Sequence, residues 1–154
     1  MDLRLCLQNT VTGFEFPSNY RFKKWVSLVL NRYHPQATEL TIRIVDAAEI
    51  RQLNADYRKK DKPTNVLSFP SDIPEDFSLN VKYLGDIVIC AQVVVEEAKQ
   101  QGKTAIAHWA HLTIHGVLHL LGYDHEEEQD AAVMEAVEIE LLGELGYPNP
   151  YLEG

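Results

Sequence analysis

The sequence predicts an α+β fold in which about five helices cover a small four-stranded mixed sheet. Two observations lead to this prediction: short segments alternate apolar and polar residues as strands do, and longer segments repeat apolar residues at helical spacing. The two kinds of segment interleave along the chain, so the helices are expected to pack on the sheet. The 154 residues are 45% hydrophobic and 24% charged, and we expect residues 1–154 to form a single domain.

Four segments have the alternation or the short apolar run of a β-strand. They are residues 3–8, 39–45, 66–69 and 84–90. In the first of them, Leu3, Leu5 and Leu7 alternate with residues of other types, which is typical of a strand with one buried face. Pro70 is expected to end the third strand.

Five segments repeat apolar residues at helical spacing. They are residues 19–34, 47–57, 91–101, 105–121 and 126–145. Ser18, Asp46 and Thr104 precede three of these helices as candidate N-cap residues, and Glu49 follows Asp46 at capping-box spacing. Gly102 ends the third helix. On the last helix, the residues expected to face inward are Val133, Val137, Leu141 and Leu145.

The net charge of −9 is unevenly distributed along the chain. All 14 Lys and Arg residues lie before residue 104, so the remainder of the chain is strongly acidic. Either the acidic last helix is simply a solvated face, or the basic residues are segregated to one side of the molecule, where a polyanion could dock. The overall charge argues against indiscriminate nucleic-acid binding, but it leaves room for a local basic groove.

Several features favour a cytoplasmic protein without a membrane partner. No apolar run approaches the ~18 residues that cross a bilayer, and the N-terminus lacks the pattern of a signal peptide. The two cysteines, Cys6 and Cys90, lie in strand-like segments, where we expect buried free thiols. An extracellular disulfide scaffold is excluded.

The most informative motif is a set of histidines at the end of the fourth predicted helix. His115 and His119 are four residues apart, so their side chains leave one face of the helix with Cβ atoms about 6 Å apart. Gly122 lets the chain turn back, which can bring His125 toward the same point. Three neutral imidazoles with an open fourth position are typical of a catalytic Zn²⁺ site. We therefore predict one Zn²⁺ per chain, bound by His115, His119 and His125.

Other histidines on the same helix leave an alternative open. His111 lies in the same stripe as His115, so helix geometry alone also allows a His111–His115 pair. Only the turn at Gly122 and the position of His125 favour the pairing of His115 with His119. We expect His111 to support the ligands or to face a substrate. The remaining histidine of this stripe, at position 108, is expected to be structural.

The histidine spacing also matches the metzincin metalloprotease motif H-E-x-x-H-x-x-G-x-x-H, except at one position. Protease chemistry needs a Glu beside the first His as a general base, and that position is Gly116 here. The helix is therefore metzincin-like in its histidines, whereas peptide hydrolysis by that mechanism is disfavoured.

Asp124 stands beside the third predicted ligand and has two interpretations. It orients a ligand imidazole or accepts a proton in catalysis. Alternatively, it caps the acidic helix that follows.

A second cluster precedes the third strand and is basic. Its members are Arg58, Lys59, Lys60 and Lys62. The guanidinium of Arg58 offers a planar fork that matches phosphate oxygens, and near Zn²⁺ it would stabilise charge that develops on a phosphoryl group. A basic helix end is equally well explained by the helix dipole. Asn65 and Ser68, which follow, either bind phosphate or sugar or satisfy the turn.

Taken together, these motifs closely resemble the YbeY family of bacterial rRNA-maturation endoribonucleases. The matching segments are residues 57–58, 62–70, 84–87 and 115–125. The resemblance covers nearly the whole chain, and the histidine motif with Gly116 is its most specific part.

The resemblance implies a particular site and a particular biology. It implies zinc ligands at His115, His119 and His125, a catalytically required Arg at Arg58, and a part for His115 in activity. It also implies cleavage of single-stranded RNA, 16S rRNA 3′-end maturation and ribosome quality control. The implied partners are rRNA and the small ribosomal subunit with its assembly factors.

The mechanism we expect is metal-assisted phosphodiester hydrolysis, in which Arg58 clamps the scissile phosphate. Asp124 and His111 are candidates for the group that accepts the proton, and the attacking group is either water or the RNA 2′-hydroxyl. Two rival functions remain: a metzincin-like metalloprotease, and a non-enzymatic ribosome-assembly factor whose zinc only holds the fold.

Overall fold

The elements expected from the sequence are present in the computed structural model, which describes residues 2–71, 81–123 and 127–152. The strands are β1 (Leu3–Asn9), β2 (Thr38–Val45), β3 (Val66–Pro70) and β4 (Lys82–Cys90). The helices are α1 (Asn19–Tyr33), α2 (Ala47–Arg58), α3 (Ala91–Gln100), α4 (Ala105–Leu120) and α5 (Glu128–Glu144). The predicted α+β fold, with a four-stranded mixed sheet and five helices, is confirmed. None of the described helices combines the length and the apolar character needed to cross a membrane.

Local capping signals account for three of the helix starts. The side chains of Ser18, Asp46 and Thr104 each accept a hydrogen bond from the backbone N–H three residues further on, at 3.2, 2.8 and 3.2 Å. Such a bond satisfies one of the N–H groups that a helix start leaves without an intrahelical partner, and it is typically worth about 1 kcal/mol. The N-cap predictions are therefore confirmed.

The four strands form one sheet in the order β1-β2-β4-β3. The pairs β1–β2 and β2–β4 are parallel, whereas β3 runs antiparallel to β4. Within the described part of the chain, β3 is an edge strand, because only one of its sides is paired. Its other side is available to line a groove.

Helices pack on both faces of the sheet. On one face, α1 and α4 enclose a large core around Phe22, whose ring meets Trp25 and Trp109 edge to face at centroid distances of 5.7 and 5.9 Å. On the other face, α2 covers a smaller cluster. Helix α4 contacts α1, α3, α5 and the sheet, so it is buried on nearly all sides. Its C-terminal turns are thus held rigidly against the sheet.

Two burial predictions are wrong. Val133 on α5 is 56% exposed. The buried side chains of this helix are instead Met134, Glu138, Leu141 and Leu142. The predicted Leu141 is among them, and Val137 and Leu145 pack against the core, so the expected face is wrong at Val133. Cys6 is exposed because it alternates with the core-facing Leu5 and Leu7, whereas Cys90 is buried as predicted.

Helix α4 approaches the sheet closely at Gly116. The hydroxyl of Ser68 on β3 donates a 3.0 Å hydrogen bond to the carbonyl oxygen of Gly116. A Cβ atom at this position would lie 2.8 Å from Cγ2 of Ile87 and 3.3 Å from Oγ of Ser68. The absence of a side chain at position 116 therefore sets the distance between α4 and the sheet.

We predict that Gly116→Ala lowers the free energy of unfolding by about 1–3 kcal/mol, because overpacking at Ile87 outweighs the higher helix propensity of Ala. Gly143→Ala on α5 is the matched control, since a Cβ there meets nothing within 4 Å. The control should raise the free energy of unfolding by up to about 1 kcal/mol. Urea unfolding followed by circular dichroism measures both, and equal gains in the two variants would contradict the close approach.

Candidate metal centre and adjoining groove

The last turns of α4 place His115 and His119 side by side. Their Nε2 atoms are 3.0 Å apart and their ring centroids are 4.6 Å apart. Two imidazole nitrogens bound at about 2.0–2.1 Å to one tetrahedral ion would be separated by about 3.3 Å. Both rings are half-buried, so solvent reaches them. The donor atoms and their spacing therefore fit a shared metal ion such as Zn²⁺ after a small adjustment.

Two of the predicted site residues cannot be placed beside this pair. His125, the predicted third ligand, and Asp124, the predicted proton acceptor or orienting group, lie outside the described residues. Their roles remain predictions.

A fully buried carboxylate on α5 contacts His115 on the side away from His119. The Nδ1–H of His115 donates to Oε1 of Glu138 at 3.0 Å, and the hydroxyl of Tyr151 donates to its two oxygens at 2.7 and 2.8 Å. Nε2 of His111 lies 3.4 Å from the same carboxylate. A proton on Nδ1 of His115 leaves Nε2 as the lone-pair atom facing His119, which is the tautomer that a ligand bound through Nε2 requires.

The charge states of this cluster follow from its contacts. Burial alone would raise the pKa of Glu138, but hydrogen bonds from His111 and His115 and the charges of their rings outweigh it and lower the pKa to about 2. Burial and the neighbouring carboxylate raise the pKa of Tyr151. Burial also lowers the pKa of His111, which favours the neutral ring. Glu138 is therefore an anion at neutral pH, and Tyr151 is a hydrogen-bond donor.

The same carboxylate belongs to a second group that could hold a metal ion. One ligand atom from each of His111, His115 and Glu138 lies within 4.8 Å of the other two. Because Glu138 faces Nδ1 of His115, an ion in this group would replace the hydrogen bond between these two residues. The His111 and His115 rings are also further apart, at 6.2 Å between centroids, than those of His115 and His119. The structure thus offers His115 two ligand arrangements, on opposite nitrogens.

His108, at the other end of the histidine stripe, belongs to a different set of contacts. Its Nε2 atom is 2.9 Å from the carboxylate of Glu97, which also accepts a 3.0 Å hydrogen bond from Asn65. This hydrogen bond holds the turn before β3 against α3. Asn65 and Ser68 therefore make structural contacts, since Ser68 is bonded to the backbone of α4.

A groove of about 810 Å³ runs along the edge strand β3. Tyr57 and Arg58 line it from the end of α2, and His115 and His119 line it from α4. The two clusters singled out in the sequence, one basic and one histidine-rich, therefore open into the same space. A substrate lying along β3 would reach both.

The basic cluster lies on a turn that is well anchored. Helix α2 ends at Arg58, and Lys59 reverses the chain in the left-handed conformation, with φ of 61°. The buried side chain of Asn54 donates to the carbonyl of Lys62 at 2.9 Å, and its backbone carbonyl accepts from Lys60 at 3.2 Å. Among the described residues, no acidic group pairs with the basic side chains of this turn. These charges are available to an anion.

Neither Glu138 nor Tyr151 is predicted as a site residue from the sequence. The sequence holds one usable signal for Glu138: it lies four residues after Met134 and three before Leu141, inside the apolar stripe of α5. A charged residue at such a position predicts a buried partner. Tyr151 lies beyond the last helix, in a segment without periodicity, and nothing local indicates its contact.

Comparisons with known proteins agree with these features. The family model described as Endoribonuclease YbeY matches residues 8–146. The Endoribonuclease YbeY of Pseudomonas entomophila (strain L48) is 54% identical over 151 residues, which cover 98% of this chain and 94% of that protein. The protein of the same name from Stutzerimonas stutzeri (strain A1501) is 54% identical over 98% of this chain and 92% of its own length.

A solved structure has the same architecture. The solution structure of TM1509 from Thermotoga maritima superimposes with a TM-score of 0.57 at 25% identity, covering 94% of this chain and 91% of that chain. The family match spans both the basic turn and the histidine helix, and the two relatives are identical to this chain at more than half of the aligned positions. The chain therefore belongs to the YbeY endoribonuclease family.

Proposed function

We propose that this chain, acting as one hydrolase domain over residues 1–154, is a zinc-dependent endoribonuclease that cuts single-stranded RNA. The observation that carries the proposal is the shared groove, in which Arg58 and the pair of His115 and His119 face the same space along β3. Membership of an endoribonuclease family supports the reaction type.

In this proposal, His115 and His119 hold one Zn²⁺ together with His125. When bound, the ion lowers the pKa of a water molecule toward about 7 and polarises the phosphoryl group as a Lewis acid. The protein's part is to hold each imidazole in the tautomer and the orientation that metal binding requires. Glu138 does this for His115 by accepting its Nδ1–H at 3.0 Å.

Arg58 is proposed to bind the scissile phosphate. Its guanidinium presents two parallel N–H donors to two phosphate oxygens and neutralises charge that grows in the transition state. Asp124 is proposed to accept the proton of the attacking hydroxyl, or to orient a ligand imidazole. His115 is proposed to contribute to catalysis through its place at the metal.

The proposed substrate is rRNA, and the proposed biological role is 16S rRNA 3′-end maturation and ribosome quality control in the cytoplasm. The proposed partners are the small ribosomal subunit and its assembly factors. The acidic last third of the chain supports a role for such partners in presenting the RNA strand, because its charge repels RNA outside the groove and weakens the binding of free RNA.

The protease alternative meets a steric obstacle. A metzincin needs a Glu at the position of Gly116, and here a Cβ would lie 2.8 Å from Ile87. The sheet lies so close to this position that no space is left for a glutamate side chain.

We predict that purified protein binds about one Zn²⁺ per chain and that the double variant His115→Ala/His119→Ala loses this stoichiometric binding. Glu138→Gln should weaken the affinity by roughly 10–100-fold, because the His115 ring loses its carboxylate acceptor. Glu135→Gln, an exposed residue of the same helix, and His108→Ala are controls that should retain wild-type affinity. Competition with a chromogenic chelator measures all four, and one full equivalent of zinc in the double variant would contradict the site.

We predict that Arg58→Glu lowers kcat on single-stranded RNA by about 10²–10³-fold or more, while zinc content and the unfolding transition stay unchanged. Arg58→Lys should also be poor, since a point charge does not replace the bidentate fork. Arg21→Glu reverses an exposed charge on α1 and serves as the matched control. Normal turnover by Arg58→Glu would place the phosphate elsewhere.

We predict cleavage of 5′-labelled single-stranded RNA, and no cleavage of a matching duplex or of unfolded casein. Chelator should stop the reaction. The KM should rise steeply with salt, with a log–log slope of roughly two to three if three or four phosphates are contacted. Chelator-sensitive casein cleavage with intact RNA would instead favour the protease, and inertness toward both with zinc bound would favour a non-enzymatic assembly factor.

A further inference from the structure

One aromatic side chain in the groove has no part in the chemistry described so far. Tyr57 lies on the last turn of α2, directly before Arg58, and it is 62% exposed. Several other large hydrophobic side chains of the described residues are also exposed, but none of them lines this groove. Tyr57 is therefore an exposed ring placed beside the proposed catalytic groups.

A neighbouring aromatic side chain supports the ring of Tyr57. The Tyr57 ring contacts Phe69 of β3 edge to face, with centroids 4.5 Å apart and an interplanar angle of 81°. Phe69 is itself half-buried against the smaller core cluster under α2. In an edge-to-face contact, Phe69 covers at most one face of the tyrosine ring. The ring is thus held in place while a face remains open to the groove.

The charges around Tyr57 select the kind of ligand. Arg58 and Lys60 line the same groove, and neither forms an ion pair with a described residue. A cationic groove that also offers an aromatic face matches a single strand of nucleic acid, in which phosphates alternate with flat bases. An apolar peptide would use the ring but would leave the cations without partners.

We propose that Tyr57, backed by Phe69, forms a stacking subsite for one nucleobase of single-stranded RNA, next to the phosphate bound by Arg58. This inference rests on the proposed function and adds the group that holds the strand in register with the metal. A base in a duplex is already stacked on both faces, so the subsite also accounts for a preference for unpaired RNA. Because every base has a π-face, it selects for strandedness and little for sequence.

The test compares kcat and KM of zinc-loaded variants on a short single-stranded RNA. Tyr57→Ala should raise KM by about 5- to 150-fold, the range for losing one stacked base, with kcat much less affected. Tyr57→Trp restores a flat ring and should recover most of the lost affinity. Tyr20→Ala removes a tyrosine that is 75% exposed on α1, outside the groove, and should leave KM unchanged.

A second arm separates stacking from a loss of structure. Replacing single nucleotides of the RNA by abasic residues should raise KM at one position for the wild type, and Tyr57→Ala should be insensitive at that same position. The zinc content of Tyr57→Ala should match that of the wild type, and its unfolding should stay cooperative, with a midpoint lower by no more than a few degrees after loss of the contact with Phe69. An unchanged KM in Tyr57→Ala, or equal abasic penalties in both proteins, would overturn the subsite while the proposed function stands. Failure of the wild type to cut RNA would overturn both.

Discussion

The hydrogen bond between Nδ1 of His115 and the carboxylate of Glu138 joins α4 to α5 directly behind the proposed metal ligands. Burying an ionised carboxylate costs several kcal/mol unless its oxygens are paired. Here both oxygens accept from Tyr151, and His111 and His115 complete the set. If one of these contacts were lost, the buried charge of Glu138 would keep fewer hydrogen-bond donors, which would lower the stability of the folded protein. The carboxylate therefore constrains the ring of His115, the packing of α5 and the path of the chain after it.

The close approach of α4 to the sheet at Gly116 is a second constraint on the position of this helix. With no side chain at this position, the helix lies against β3 and β4, and Ser68 bonds directly to its backbone. That contact places the histidine pair beside the edge strand and so next to the basic turn after α2. The same glycine removes the general base of a metzincin. Gly116 thus sets the packing of the helix and leaves the position of that base without a side chain.

The sequence predicts those features of the fold and of the site that depend on short-range patterns. Strand alternation, the caps at Ser18, Asp46 and Thr104, and the spacing of His115 and His119 all act within a few residues. The sequence does not predict contacts that depend on how distant elements meet. Glu138 is 23 residues from His115, and it takes a buried position on α5, whereas Val133, which is predicted to face inward, is exposed. The approach of Arg58 to the histidines likewise depends on α2 and α4 flanking the same edge strand.

In the proposed site, the ion binds on the Nε2 side of His115, and Glu138 holds the ring from the Nδ1 side. Anomalous diffraction at the zinc edge, from crystals of the zinc-loaded protein, locates the ion directly. We expect one peak about 2.0–2.1 Å from Nε2 of both His115 and His119, with the hydrogen bond between His115 and Glu138 intact. A peak between His111, Nδ1 of His115 and Glu138 would contradict it.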